Sequence, residues 1–395
     1  LLSIVNCLEQ KENIEEYIST NPYIASPKYY ENKKVKSIDI NELPLPSREF
    51  LKDSSNIAVN ICDGHGCNGK CTFCGLRNDG TKLTLRSAKS IYDEIKEINK
   101  ETGRNIFLFT SGSFEIPGKI GKARINELCD LALNDNKKYS FRCFLKAESF
   151  KENEEDINLL KKMKKAGFDF ALIGIESGNN SDLSLYGKQA NLHDNNVALK
   201  IMRDSEIYCE DYGFIMFNPY STIDTIKKNY DFLRNNKSAY LRKYIDLLWI
   251  SENTKIYEKV KNDGLLKSDY SYRNQTGYKF VSKDINILYK QIEKIESLSI
   301  MNKHYYFTML CYVLFQVMNL IDCEQYYLFF LEIKEDIFHI IEEFFNHLFT
   351  NFEIDEKKLE RFEKCLDYSY EACNQLRLKI LRKYMRYYSQ ELFIK

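Results

Sequence analysis

The sequence predicts an α/β core built on a parallel sheet, followed by an all-helical C-terminal domain. Three observations carry that reading. Six short apolar stretches alternate with amphipathic helical ones between residues 56 and 266. The last Pro is Pro219 and the last Gly is Gly277, so the rest of the chain, rich in Leu, Ile, Phe, Tyr, Glu and Lys, lacks both helix breakers. Cys62, Cys67, Cys71 and Cys74, four of the 12 cysteines, crowd into thirteen residues, the first at the end of the first expected strand and the other three in the loop directly after it.

Strands are expected at 56–62, 105–110, 139–145, 169–175, 211–217 and 244–250, with helices between them such as Ala88 to Glu101 and Glu155 to Lys165. Parallel strands need right-handed crossover helices, which leaves an open doubly wound sheet or a full or partial barrel. In either, chemistry belongs at the strand C-termini. The expected organisation is a linker or remnant of an upstream domain over 1–55, a catalytic core over 56–266 and a helical domain over 267–395. Within the last, Tyr305 to Ile321 is the most apolar run, but it holds Gln316 and Asn319. It falls short of the roughly 20 clean apolar residues a bilayer needs, so a buried helix is expected and no membrane partner.

A chain of 395 residues, 44% hydrophobic, has the composition of a folded protein with room for two domains, which excludes disorder and collagen-like repeats. Its 57 basic and 57 acidic side chains balance, so composition offers no case for a nucleic-acid partner. The opening Leu-Leu-Ser-Ile-Val-Asn-Cys lacks a basic start and a small-residue cleavage site, so a cytoplasmic setting with reduced thiols is expected. The first residue is not Met, and an upstream segment is expected to precede it.

The loop Gly66-Cys-Asn-Gly-Lys-Cys-Thr-Phe-Cys-Gly75 has the spacing C-x3-C-x2-C. Three thiolates so spaced can each hold one corner of a four-iron four-sulfur cluster, leaving the fourth iron open. A zinc site would want four ligands in two pairs, and thioredoxin-type chemistry would use Cys71 and Cys74 but leave Cys67 idle. Cys62 could complete a fully ligated cluster, as in an electron carrier; as a strand-end residue it is read first as a core thiol. Cys7, Cys129, Cys143, Cys209, Cys311, Cys323, Cys365 and Cys373 are read as buried free thiols.

This loop, with Phe73 before its last Cys and its place after the first strand, resembles the cluster loop of radical S-adenosylmethionine enzymes. The resemblance covers about 56–266 and implies a partial (β/α)6 barrel of the TIM type. It implies cluster ligation by Cys67, Cys71 and Cys74, and S-adenosylmethionine on the open iron. One-electron reduction, from a donor such as flavodoxin or ferredoxin, would then yield a 5′-deoxyadenosyl radical. Gly174-Ile-Glu-Ser-Gly178 is similar to a family motif and implies Glu176 and Ser177 at the polar end of the cofactor. The Thr110-Ser-Gly-Ser-Phe-Glu115 loop stands where the family holds the cofactor's amino group, implying Ser111 and Gly112. Gly213-Phe-Ile-Met-Phe-Asn-Pro-Tyr220 corresponds to the adenine-side segment, implying Ile215 with Phe73 on adenine; Phe217 and Tyr220 depart from its pattern.

The segments Ile38 to Ser47 and Thr254 to Leu266 are similar to the linker and exit helix of the cobalamin-binding branch of that family, which raises cobalamin as a further cofactor. The branch's outcome would be methyl transfer; without cobalamin, hydrogen abstraction on a peptide or small-molecule natural product is expected. Asp63-Gly-His65 has the letters of a cobalamin D-x-H motif but lies inside the cysteine loop and is not read as one. His65 could adjust a cluster by a hydrogen bond or be a solvated loop residue. His193, His304, His339 and His347 form no ligand pair and receive no role, and Arg142 and Lys188 are read as surface or strand-end charges.

Overall fold

The computed structural model describes residues 13–20, 43–52, 58–77, 83–115 and 118–393, together with Glu9, Ile40 and Asn41. The chain divides into two compact units, Leu1–Pro46 and Ser47–Lys395. The first contributes helix α1 (Ile14–Thr20). Most of the linker expected over 1–55 lies outside the described residues, as does Cys7.

In the second unit β1 (Val59–Ile61) leads into a two-stranded antiparallel ribbon of β2 (Gly64–His65) and β3 (Thr84–Leu85), which encloses the cysteine loop. Helix α2 (Ala88–Thr102), β4 (Ile106–Phe109), α3 (Lys119–Leu133), β5 (Ser140–Lys146), α4 (Glu154–Ala166) and β6 (Phe168–Glu176) follow in strict alternation. Short α5 (Asn180–Leu185) and α6 (Leu192–Asp204) precede β7 (Gly213–Phe214), and α7 (Ile223–Asn235) follows it. The sheet runs β1-β4-β5-β6-β7, parallel throughout, with Val59 opposite Phe107, Phe107 opposite Phe141 and Gly174 opposite Gly213.

Local sequence sets the helix ends. Ser87, Asn153, Asn191 and Thr222 each cap a helix start by accepting the N–H three residues on. Gly167 ends α4 at φ 104°, where a Cβ would stand 2.2 Å from the Tyr139 carbonyl oxygen. Only glycine meets both demands. One face of the sheet carries a stack of Phe107, Phe109, Phe141 and Phe168, with ring centroids 5.0–6.2 Å apart between neighbours.

The sixth expected strand, 244–250, is not a strand. A 3-10 turn occupies Leu241–Tyr244, and the following backbone meets β7's continuation at a single parallel bridge, Phe217 to Leu247. The reason is visible in the bonding: the Asp246 carbonyl accepts from both Met216 and Phe217 N–H, which breaks the even ladder a parallel strand requires. Five strands therefore make the main sheet among the described residues.

After α8 (Lys255–Asn262), which stands where the exit helix was expected, the C-terminal region is helical as expected: α9 (Lys283–Glu296), α10 (Tyr305–Val317), α11 (Glu324–Asn351) and α12 (Glu356–Phe393). The apolar run that resembled a membrane span is α10, which packs on β5 and β6 and under α12. No helix among the described residues is long and apolar enough to cross a membrane. At this contact Arg142 of β5, expected as a surface or strand-end charge, is buried. Its guanidinium lies 4.0 Å from the Tyr312 ring centroid and donates to the Tyr312 hydroxyl (3.0 Å), which donates to Asp211 Oδ2 (2.6 Å).

Removing the buried cation takes the donor from the Tyr312 hydroxyl, which keeps only its own bond to Asp211. Arg142→Met is expected to lower the stability of the fold by about 2–4 kcal/mol. Tyr312→Phe is expected to cost about 1–2 kcal/mol, with the double variant less than additive, all read from urea midpoints.

Candidate active site

The cysteine loop is fastened at both ends. Asp63, wholly buried, accepts from the Ser111 N–H (2.9 Å) and hydroxyl (2.7 Å), and Arg124 bridges the Asp63, Arg86 and Phe114 carbonyls. Burial raises the Asp63 carboxyl above its ordinary range, while the Ser111 bonds oppose that rise. Farther on, Thr72 donates from its N–H to the Tyr186 carbonyl (2.7 Å) and from its hydroxyl to Leu185 (2.8 Å), and accepts from Ile256 N–H (3.1 Å). Gly187 at φ 64° makes this approach feasible, since a Cβ would come within 2.7 Å of the Lys70 carbonyl.

Cys67, Cys71 and Cys74 then open on one cavity of about 200 Å³, whose other walls include Gly112, Lys146, Glu176 and Lys188. Gly69 lies between two of the sulfurs: a Cβ there would stand 3.3 Å from Cys67 Sγ and 3.8 Å from Cys71 Sγ. Among the described residues no three His, Cys, Asp or Glu side chains converge on one ion position, so the thiols are not arranged as a mononuclear cage. Burial pushes the Cys71 thiol up, and the Lys188 ammonium pulls it partly back.

Glu176 ends β6 in the left-handed region at φ 64°, a conformation that costs a non-glycine residue about 1–3 kcal/mol. Its carboxylate is 3.7 Å from Lys188 Nζ. Glycines on two neighbouring strands provide the room: a Cβ at Gly174 would lie 2.9 Å from Glu176 Oε1, and one at Gly213 of β7 would lie 3.1 Å from Oε2. Ser177 faces the other way. Its hydroxyl donates to Asn229 Oδ1 (2.8 Å) in a closed network with Asn179 and Asp182. Gly178 packs on α7, where a Cβ would strike Phe232 at 2.4 Å. Of the expected residues, then, Cys67, Cys71, Cys74, Phe73, Gly112 and Glu176 share this cavity, while the Ser111 and Ser177 hydroxyls serve the scaffold.

A larger cavity of about 460 Å³ shares two walls with the first, Phe73 and Glu176. Ile215 lines it with Asp211, and opposite stand Arg242, Lys243 and Asp246, with His304, Phe307 and Thr308 from the start of α10. Lys243 lies over the Tyr212 and Tyr240 rings, 3.3 and 4.4 Å from their centroids, and desolvation brings its pKa down to about 7. Burial takes Asp246 up to about 6. Trp249, the chain's single tryptophan, is 66% exposed at the outer rim, where a further cavity of about 260 Å³ shares Arg242, Leu247 and Trp249.

Two residues escaped the sequence reading. Lys188, expected as a surface or strand-end charge, has a side chain only 5% exposed and stands beside Glu176. His304, which formed no pattern, lines the larger cavity. Cys62, expected in the core, is exposed, with Sγ directed to the Gly64 carbonyl (3.6 Å). His65 is likewise exposed. Cys129, Cys143, Cys209, Cys311, Cys323 and Cys373 are buried and Cys365 partly so.

Because Lys188 lowers and Glu176 raises the Cys71 thiol pKa, Lys188→Met should slow iodoacetamide alkylation of Cys71 in the metal-free protein several-fold near neutral pH. Glu176→Gln should speed it. Site-resolved mass spectrometry distinguishes the two.

Residues 61–233 match the family model described as the Radical SAM superfamily. The 4′-phospho-dehydrooxetanocin synthase of Priestia megaterium is 28% identical over 255 residues, 60% of this chain and 33% of that protein. The anaerobic magnesium-protoporphyrin IX monomethyl ester cyclase of Cereibacter sphaeroides is 24% identical over 199 residues, 50% of this chain and 32% of that protein. The chain thus spans about a third of the length of these curated relatives. In fold it is similar to the cobalamin-dependent S-adenosylmethionine radical enzyme OxsB, solved with aqua-cobalamin and S-adenosylmethionine bound. That likeness has a TM-score of 0.69 at 18% identity over 100% of this chain and 63% of the other. The segment that carries the match to the Radical SAM superfamily, Ile61 to Leu233, begins six residues before Cys67 and takes in the three loop thiols, Glu176 and Ile215.

Proposed function

We propose that this chain cleaves S-adenosylmethionine reductively at a four-iron four-sulfur cluster and uses the resulting radical on a small, phosphate-bearing molecule. The observation that carries the reading is the pair of cavities meeting at Phe73 and Glu176, one lined by three thiols and the other by mixed charge. The family implies the cluster and S-adenosylmethionine, and the residues fit them. Three thiols open on one space with Gly69 between two sulfurs, and no other Cys among the described residues lines it. When bound, the two together supply a carbon radical able to take a hydrogen atom.

In this reading Cys67, Cys71 and Cys74 hold the cluster. Glu176 and Lys188, both at the wall of the thiol cavity, hold the amino and carboxylate ends of the cofactor, and Gly112 admits it closely: a Cβ there would stand 3.4 Å from Cys67 Cβ. Phe73, edge-on to Tyr186 at 5.7 Å, and Ile215 flank the adenine and keep water out. The larger cavity takes the substrate. Its size suits a small molecule better than a peptide, and Arg242 and Lys243 suit a phosphate, in line with the phospho-compound in the name of the Priestia relative. For cobalamin, which OxsB binds, Asp63-Gly-His65 does not supply a site: Asp63 is spent on Ser111 and Arg124.

The test is anaerobic reconstitution with iron and sulfide, then reduction by dithionite or flavodoxin in the presence of S-adenosylmethionine. Brown iron–sulfur absorbance and 5′-deoxyadenosine are expected, with release raised by sugar phosphates or nucleoside monophosphates. Cys71→Ala should lose both signals, while Glu176→Gln should keep the absorbance and weaken cofactor binding roughly 10-fold. Absorbance without cleavage, abolished by Cys62→Ala, would instead mark an electron carrier.

A further inference from the structure

The larger cavity takes one wall from the helical region, and the ionisable group on that wall is His304 at the start of α10, with the Thr308 side chain one turn on. Its Nδ1 lies 2.6 Å from the Met301 carbonyl oxygen. A carbonyl can only accept, so Nδ1 carries the hydrogen. In the neutral ring Nε2 is then a lone-pair acceptor, and no protein hydrogen bond or ion pair engages it among the described residues.

The charged surroundings favour that neutral ring. Burial opposes protonation and Arg242, facing His304 from the 3-10 turn, opposes it further; the Met301 carbonyl works the other way, and the net direction is down. Arg242 is itself paired with Asp246 (2.8 Å). The neighbouring Lys303 is held by Asp367 (2.7 Å) and Glu371 (2.9 Å) of α12, so it turns to those carboxylates. His304 has no carboxylate of its own within ion-pair distance among the described residues. Across the same cavity stand Glu176, Asp211 and Lys243.

We infer that His304 Nε2 is the proton acceptor for a substrate hydroxyl on the carbon that loses its hydrogen atom in the larger cavity. This rests on the radical reading of the adjoining thiol cavity. The step balances without an outside oxidant or reductant. The substrate C–H bond breaks, its hydrogen atom forms the new C–H bond of 5′-deoxyadenosine, and one unpaired electron stays on the carbinol carbon. A hydroxyl beside such a carbon is far more acidic than in the parent alcohol. Its proton passes to Nε2, leaving a ketyl radical anion and an imidazolium whose Nδ1–H still donates to Met301. The substrate class that follows is an alcohol or sugar-like phosphate, oriented with a hydroxyl toward α10. In this arrangement the helical region supplies a catalytic residue as well as packing.

Two measurements on the cluster-loaded protein test it. Nitrogen-15 histidine NMR, with the His304 signal assigned by its loss in His304→Gln and again in His304→Asn, should show the neutral Nδ1–H tautomer at pH 7. Its protonation midpoint should lie below the usual value of about 6.5. The Nε2–H tautomer, or an imidazolium at pH 7, overturns the inference, and this readout needs neither cofactor cleavage nor substrate. Second, 5′-deoxyadenosine release is followed across that pH range with 2-deoxyribose 5-phosphate and deoxynucleoside monophosphates as probes. The wild-type rate should rise with the NMR midpoint, and His304→Asn should fall at least tenfold and lose that dependence. An unchanged profile in His304→Asn overturns the role. Release with none of the probes counts against the phosphate-bearing substrate and leaves the NMR result to decide on His304.

Discussion

Everything at the site depends on five strands pointing the same way. A parallel sheet delivers the C-terminal end of each strand to one rim, and here that rim receives residues far apart in sequence. The cysteine loop leaves β1, Gly112 leaves β4, Lys146 ends β5, Glu176 ends β6 and Ile215 follows β7. Crowding so many groups at one edge demands close backbone approach. Gly112, Gly174, Gly187 and Gly213 all stand where a Cβ would come within 3.1 Å of another group. The glycines of the Gly-Ile-Glu-Ser-Gly segment are thus spacers, two of its positions making room and one carrying the carboxylate that lines both cavities.

The rim alone would be an open ledge. Helix α10 lies across β5 and β6 and converts it into a chamber, through aromatic packing of Phe170 on Tyr312 (5.2 Å) and Tyr208 on Phe315 (3.8 Å). The chain of Arg142, Tyr312 and Asp211 couples that packing to the cavity, since Asp211 both accepts the buried hydroxyl and lines the chamber. Fold stability and cavity shape therefore share side chains, and the helical region and the sheet work as one body within Ser47–Lys395.

What was legible in the sequence was what local spacing encodes. The C-x3-C-x2-C loop, five of six strands and the glycine-free helical region could be read directly, because period and breaker placement act within a few residues. The segment 244–250 had the apolar letters of a strand, but its pairing is decided by the Asp246 carbonyl taking two donors, a tertiary event. Lys188 and His304 were invisible for the same reason: each reaches the site from a helix end or loop whose approach the sheet determines. Ser177 marks a subtler limit. The motif it belongs to pointed to the cofactor, yet its hydroxyl is bonded into the Asn229 and Asp182 network that holds the turn on which Glu176 sits.

Trp249 gives the chamber a property of a different kind. It is the chain's single tryptophan, largely exposed, at the junction of the larger cavity and its outer extension. All indole emission from the protein therefore originates at the doorway of the chamber, with Arg242 beside it as a charge sensitive to arriving anions. Occupancy of the chamber can be followed optically in the unlabelled protein, without turnover and without engineering a reporter.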